Sequence, residues 1–178
     1  DVDKVTFTGS PNVGRTILQS AAVNFKRVTL ELGGKSANIV FPDANLDQAV
    51  KAACAGIFFN SGQVCSAGSR ILVHEDIYAE FLEKFAARAN TLRIGDPRDD
   101  STAMGPLVSA AQMNRVLDYI ALGIKEGARL VAGGSRHGKS GYFVQPTIFA
   151  VVKHEMRIAQ EEIFGPVAVV IPFKDEED

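Results

Sequence analysis

The sequence predicts an α/β fold, a mainly parallel sheet flanked by helices. Three observations predict it. Short β-branched and apolar runs alternate along the chain with stretches whose apolar residues recur every three or four positions. Glycine, proline and asparagine mark most of the joints between them. The composition, 46% hydrophobic and 22% charged over 178 residues, supplies apolar surface for a packed core. Strands alternating with helices are the signature of βαβ units, hence of parallel strands.

Each element has its own local reason. Val5-Thr6-Phe7-Thr8 is β-branched and aromatic and reads as a strand. After Gly9, Ser10 and Pro11 form a helix start, with Ser as N-cap and Pro at the first helical position. Val13, Ile17 and Ala21 repeat at four-residue spacing and predict the buried face of that helix. Val28 to Leu32 alternates apolar and polar residues as a strand does, and Gly33-Gly34 ends it. Ala37 to Phe41 is a further strand, stopped by Pro42. Leu46, Val50, Cys54 and Ile57 share a helical face capped by Asn45, and Asn60-Ser61-Gly62 breaks that helix. Ile71-Leu72-Val73 is a strand, and Ile77, Phe81, Phe85 and Ala89 make a helix starting near Asp76. Ser109 to Gln112 has the form of a capping box before Met113, Val116, Leu117, Ile120 and Ile124, and Gly127 closes that helix. Leu130 to Ala132, Thr147 to Phe149 and Val167 to Ile171 are the later strands.

Composition also excludes functions. The 19 basic and 21 acidic residues give a net charge of −2, which argues against a nucleic-acid binder or a polybasic membrane surface. No apolar run approaches the roughly 20 residues needed to span a bilayer. Two cysteines form at most one disulfide, so a reducing, cytoplasmic setting is expected. Three scattered histidines and the cysteine spacing give no metal site. The sequence opens on Asp1-Val2-Asp3-Lys4 and stops at Asp175-Glu176-Glu177-Asp178 as though entering a further helix, which reads as a segment of a larger protein.

Four stretches could carry chemistry. Cys65 follows the Asn60-Ser61-Gly62 turn and has small neighbours in Ser66, Ala67 and Gly68, so a carbonyl compound could reach its thiol and backbone N–H groups could stabilise an oxyanion. By composition alone, packing is the commoner role of a free thiol, and Cys54 on its apolar stripe is the packed control. Glu31 ends a strand before two glycines, where α/β proteins often place site residues; partly apolar surroundings would raise its pKa toward that of a general base. A solvated strand face is the alternative. Phe7 to Gly14 runs strand, glycine, helix start, an arrangement that suits phosphate, although Gly9 and Gly14 do not complete a G-x-G-x-x-G pattern. In Gln160 to Val167, Glu161 and Glu162 precede Phe164 and a Gly-Pro turn and could hold a sugar hydroxyl; a solvated loop is the alternative.

Taken together, Phe7-Thr8-Gly9-Ser10, Leu30 to Ser36, Gly62-Gln63-Val64-Cys65 and Glu161 to Val167 resemble the aldehyde dehydrogenase superfamily, in order. The spacing fits as well, with Cys65 34 residues beyond Glu31 and Glu162 97 beyond Cys65. The resemblance extends along essentially the whole sequence. It implies a catalytic domain over 33–178 preceded, over 1–32, by the end of a Rossmann-like dinucleotide-binding domain. It implies NAD or NADP as cofactor and a small-molecule aldehyde as substrate. Cys65 would attack the aldehyde, hydride would pass to the nicotinamide, and Glu31 would activate the water that hydrolyses the resulting thioester. Gly9, Ser10 and Gly14 would hold the pyrophosphate side. Leu32 and Gly33 would approach the nicotinamide, Glu162 would bind its ribose, and Phe164 would pack nearby. The Cys65 amide would form one arm of the oxyanion hole. Because relatives that transfer the acyl group to coenzyme A tend to lack the carboxylate, Glu31 implies hydrolysis.

The resemblance also implies parts that this sequence does not contain. These are the upstream asparagine of the oxyanion hole, the upstream lysine and acidic or small residues that hold the adenosine ribose, and the strands used for homo-oligomer assembly. Three functions are therefore distinguished. Aldehyde oxidation would show a reactive, low-pKa thiol. A non-catalytic fragment would bind no dinucleotide. Cofactor-independent ester hydrolysis would vanish on Cys65→Ser without depending on NAD. Of the substrate channel, only Phe59 is a local candidate wall.

Overall fold

The structure is a computed structural model and describes residues 2–178. The chain divides into two compact units, Asp1–Gly34 and Lys35–Asp178.

The first unit is a single βαβ turn. Strand β1 (Lys4–Thr8) leads into helix α1 (Pro11–Ala21), a 3₁₀ turn at Ala22–Asn24 and strand β2 (Arg27–Glu31). β1 and β2 are parallel, with Thr8 opposite Glu31, and the Gly9 amide continues the ladder by donating to the Glu31 carbonyl at 3.0 Å. Ser10 caps α1, its hydroxyl accepting from the Val13 amide at 3.4 Å. The buried face of α1 differs from the predicted stripe. Ala21 is buried and Ile17 half-buried, but Val13 is exposed and Gly14 is the second buried position. The reason is steric: a Cβ on Gly14 would lie 2.9 Å from the Leu32 side chain, so the helix meets its strand where it has no side chain.

The second unit is built on a five-stranded sheet of order β3-β4-β7-β6-β5. Its strands are β3 (Ala37–Val40), β4 (Arg70–His74), β5 (Arg129–Ala132), β6 (Thr147–Ala150) and β7 (Val167–Phe173). Only the β5–β6 pair is antiparallel. β7 is central and buried at every position but Pro172, as expected of a continuous apolar run covered on both faces. Its alternate side chains serve two cores. Ala168 and Val170 pack with Phe58 of α2 (Leu46–Phe58) and with Phe81 and Phe85 of α3 (Glu75–Asn90). Val167, Val169 and Ile171 pack with Val116 and Ile120 of α4 (Ala110–Lys125) and Ile158 of α5 (Arg157–Gln160).

Local signals set most helix ends. Asn45 caps α2 and Ser109 caps α4, each accepting from the amide three residues on. α3 begins at Glu75, because His74 Nδ1 accepts from the Asp76 amide at 3.3 Å and serves as the cap. Gly127, at φ +95°, supplies the left-handed residue just past α4. The α4 stripe is rotated from prediction: Met113, Val116, Ile120 and Gly123 are buried, Leu117 is half-buried and Ile124 is exposed. Close approach of Gly123 to Ile158, 2.9 Å from an added Cβ, turns Ile124 outward. α5 has four residues, too few for a period to be read. Among the described residues, no helix is long and apolar enough to cross a membrane.

Candidate functional site

The site in the second unit begins where α2 ends. The chain continues as a 3₁₀ turn, Phe59–Gly62, in which Asn60, Ser61 and Gly62 take successive left-handed conformations at φ 47°, 56° and 71°. Two of these are not glycine, and such backbone persists only where the surroundings over-determine it. They do. The buried Ser61 hydroxyl donates to the Gly105 carbonyl at 2.8 Å. The Asn60 and Gln63 side chains each donate to the other's carbonyl, and Gln63 Oε1 accepts from the Val108 amide at 2.9 Å. A Cβ on Gly62 would lie 2.1 Å from the Gly165 carbonyl oxygen, so two backbones touch there. Downstream, Gly68 donates to Gly56, and the Val169 amide of β7 donates to Ser69 at 2.9 Å. Cys65 is held on this loop with its side chain exposed, and Phe59, at the start of the turn, is 72% exposed. Cys54 is buried in the core of α2, and burial pushes its thiol up to about 11.

The second component is the turn from Glu161 to Pro166, immediately before β7. Gln112 Nε2 donates to the carbonyls of Ile163 at 3.1 Å and Phe164 at 2.7 Å. The predicted capping box is therefore only half made: Ser109 caps, while Gln112 reaches away to hold this turn. Arg115 donates to the Glu162 carbonyl at 2.9 Å. Phe164 sits at φ 58°, partly exposed, and a Cβ on Gly165 would lie 2.3 Å from Val116. The adjacent carboxylates are not equivalent. Glu161 accepts two bonds from Arg157, at 2.8 and 3.0 Å, and one from the Tyr119 hydroxyl at 2.5 Å. These bonds, Arg157 first, bring its pKa down to about 2. Glu161 is committed to these structural bonds. Sequence reading missed Gln112, Arg115 and Tyr119. The available signal was their spacing of three and four residues along one polar stripe of α4.

A third segment, Lys35-Ser36, enters β3. The Arg70 amide donates to Ser36, and Ala37, Arg70 and Val169 form one row across β3, β4 and β7. The Cys65 loop, Lys35 and the Glu161–Pro166 turn thus all feed the amino ends of three adjacent parallel strands. Burial, and then the neighbouring Arg70, bring the Lys35 ammonium down to about 8.

In the first unit the candidates lie at carboxyl ends. Gly9 and Ser10 are exposed between β1 and the α1 N-terminus, where the helix dipole suits phosphate. The Gly14 amide donates to the Ser10 carbonyl at 3.0 Å. Glu31 ends β2 and is exposed. Leu32 and Gly33 are half-buried beyond it. Among the described residues, no group of three or more His, Cys, Asp or Glu could hold a metal ion.

Comparison with known proteins places this geometry. The model described as "Aldehyde dehydrogenase family" matches residues 1–178. An aldehyde dehydrogenase of Emericella nidulans is 58% identical over 177 residues, 99% of this chain and 36% of that protein. A mitochondrial aldehyde dehydrogenase of Leishmania tarentolae is 53% identical over 176 residues, 98% of this chain and 35% of that protein. The NAD+ complex structure of aldehyde dehydrogenase from Bacillus cereus superposes with a TM-score of 0.97 at 50% identity, covering 99% of this chain and 36% of that one. The chain spans about 36% of the length of such relatives.

Proposed function

The chain belongs to the aldehyde dehydrogenase family, and from that premise we propose that it carries the nucleophile and the general base of an NAD(P)-dependent oxidation of aldehydes to carboxylic acids. Residues 1–32 serve as the end of the dinucleotide-binding domain and 33–178 as the catalytic domain. The observation that carries the reading is the contrast between the two thiols. Cys65 is exposed on a loop fixed by hydrogen bonds and backbone contact, whereas Cys54 is buried with its pKa raised to about 11. A nucleophile needs the first environment and cannot work in the second.

The Cys65 thiolate attacks the aldehyde carbon, forming a C–S bond, and the Cys65 amide hydrogen-bonds the developing oxyanion. A bound nicotinamide cofactor supplies the hydride acceptor that takes this carbon to the thioester level. Glu31 then takes a proton from water as the water adds to the thioester carbonyl. The C–S bond breaks, the acid leaves, and Cys65 is regenerated as thiolate. When the cofactor is bound, Gly9, Ser10 and Gly14 would hold its pyrophosphate side. Leu32 and Gly33 would border the nicotinamide, Glu162 would take its ribose hydroxyls, and Phe164 would pack nearby. NAD is favoured over NADP by the Bacillus cereus relative's complex with NAD+.

Thiol labelling followed by mass spectrometry tests the reading. Cys65 is expected to react at least about tenfold faster than Cys54 at neutral pH, with NAD altering the Cys65 rate. Equal rates and no response to NAD would sink the proposal. Ester turnover lost in Cys65→Ser but indifferent to NAD would instead mark a cofactor-independent thiol hydrolase.

A further inference from the structure

Three side chains on one stripe of α4 grip the Glu161–Pro166 turn, and they do so in order. Gln112 donates to the carbonyls of Ile163 and Phe164, Arg115 to the carbonyl of Glu162, and the Tyr119 hydroxyl to the Glu161 carboxylate. As the helix runs forward, the turn runs backward beside it. The first two grips take backbone carbonyls, which every residue has, so they cannot tell one glutamate from its neighbour. The third takes a side chain and can. The backbone at Glu161 is extended, at φ −95° and ψ 144°. Consecutive side chains of extended backbone leave on opposite faces. Holding the Glu161 carboxylate on α4 therefore also sets the face from which the Glu162 side chain leaves.

Tyr119 is itself well fixed for this task. Its ring packs against the core that contains Val116 and Ile120. The Arg115 and Arg157 guanidiniums lie over the ring, 5.1 and 6.0 Å from its centre. Its hydroxyl is 2.5 Å from Glu161 Oε2 and accepts from Arg115 at 3.5 Å. Arg157 grips the same carboxylate at 2.8 and 3.0 Å, and the Arg157 amide donates to the Glu126 carboxylate, just past α4, at 3.1 and 3.3 Å. We propose that Tyr119 is a positioning residue: by holding the Glu161 carboxylate on α4, it sets the direction in which Glu162 is presented to the cofactor ribose. The ribose part rests on the reading of Glu162 given above; the hold on Glu161 stands on the contacts alone. Tyr119 acts through Glu162, so its hydroxyl should matter to cofactor affinity only while residue 162 carries a carboxylate.

Two measurements separate these parts. The first is NADH titration by fluorescence in wild type, Tyr119→Phe, Glu162→Gln and the double variant. Tyr119→Phe keeps the ring and removes one hydrogen bond to a charged group, so it should weaken binding about tenfold. In the Glu162→Gln background the same change should weaken binding less than about twofold, as for two residues that act as a unit. Wild-type affinity in Tyr119→Phe overturns the positioning role. So do equal losses in both backgrounds, which would mark the hydroxyl as general support for the fold. The second measurement is alkaline titration of protein carrying tyrosine labelled with 13C at Cζ, the Tyr119 resonance being assigned by its loss in Tyr119→Phe. Burial, and then the bond to Glu161, hold the Tyr119 pKa above the ordinary tyrosine value. Glu161→Gln should therefore lower the midpoint, and an unchanged midpoint overturns the hold on Glu161. If the midpoint moves but wild type binds no NADH, or Glu162→Gln binds it as tightly as wild type, the hold stands and the ribose part fails together with the reading of Glu162.

Discussion

The two units present their candidate residues at opposite ends of parallel strands. In the first, Gly9 and Glu31 follow the carboxyl ends of β1 and β2, the usual place for a ligand in an open α/β sheet. In the second, Cys65, Lys35 and Glu162 precede the amino ends of β4, β3 and β7. The support differs too. The turn after β1 is exposed and held by one cap within it and one ladder bond to β2. The Cys65 loop and the Glu161–Pro166 turn are embedded, and each is held by residues distant in sequence. A carboxyl-end turn draws on the helix it starts; an amino-end loop has no such helix and must borrow its rigidity.

This difference predicts unequal sensitivity to small changes. The largest effect is expected at Gly62, where alanine would add a Cβ 2.1 Å from backbone at positive φ. Gly62→Ala should cost on the order of 3 kcal/mol or more in denaturant unfolding and abolish selective Cys65 labelling. Gly9→Ala is the matching change in the first unit. Its Cβ meets only the end of the Phe7 ring, which can rotate away, so a cost of about 1 kcal/mol or less is expected. Similar costs at the two sites would erase the comparison. Gln112→Ala removes two bonds to turn carbonyls and should cost about 1–3 kcal/mol while leaving α4 capped by Ser109. Unfolding midpoints combined with NADH affinity would show whether the turn loosens. Ser10→Ala should cost about 1 kcal/mol by loss of the α1 cap, with the Cys65 labelling rate unaltered. The smallest effect is electrostatic. Glu161 is depressed to about 2 from 4.5, so its stabilisation is complete above about 4.5 and is lost as pH falls toward 2. With Glu161 40% and Arg157 56% exposed, solvent screening keeps the pair's contribution small. Acid unfolding of Glu161→Gln against wild type measures it.

Much of the fold was legible because its signals are local. Strands β1 to β7 and the four long helices each carried a period, a cap or a breaker within a few residues. The errors arose where tertiary contact overrode the pattern. Val13 and Ile124 obey helical spacing but lost their places to glycines, Gly14 and Gly123, that let another element close in. The site was legible in part for the same reason. The Cys65 motif announces itself by its glycines and small residues, but nothing local tells that Gln112 will leave its capping box for Phe164. Nor does local sequence tell Glu161 from Glu162; Arg157 and Tyr119 make that distinction, and Tyr119 is 42 residues from Glu161. The buried ammonium of Lys35 was invisible for a related reason, since its surroundings come from β4 and β7.

The strand order carries a consequence for how the chain acquires its shape. β3 and β4 can pair early, and β5 and β6 can close as an antiparallel pair, but β7 lies between these halves in space and after them in sequence. Neither half can complete its core until the last strand arrives and inserts, which makes assembly dependent on long-range contacts and therefore slow. Until then, Ile71, Val73, Ile148 and Phe149 lack the neighbours that bury them. During synthesis this interval is the one most exposed to mispairing and aggregation, and substitutions that weaken β7 should reduce yield before they reduce the stability of whatever protein survives.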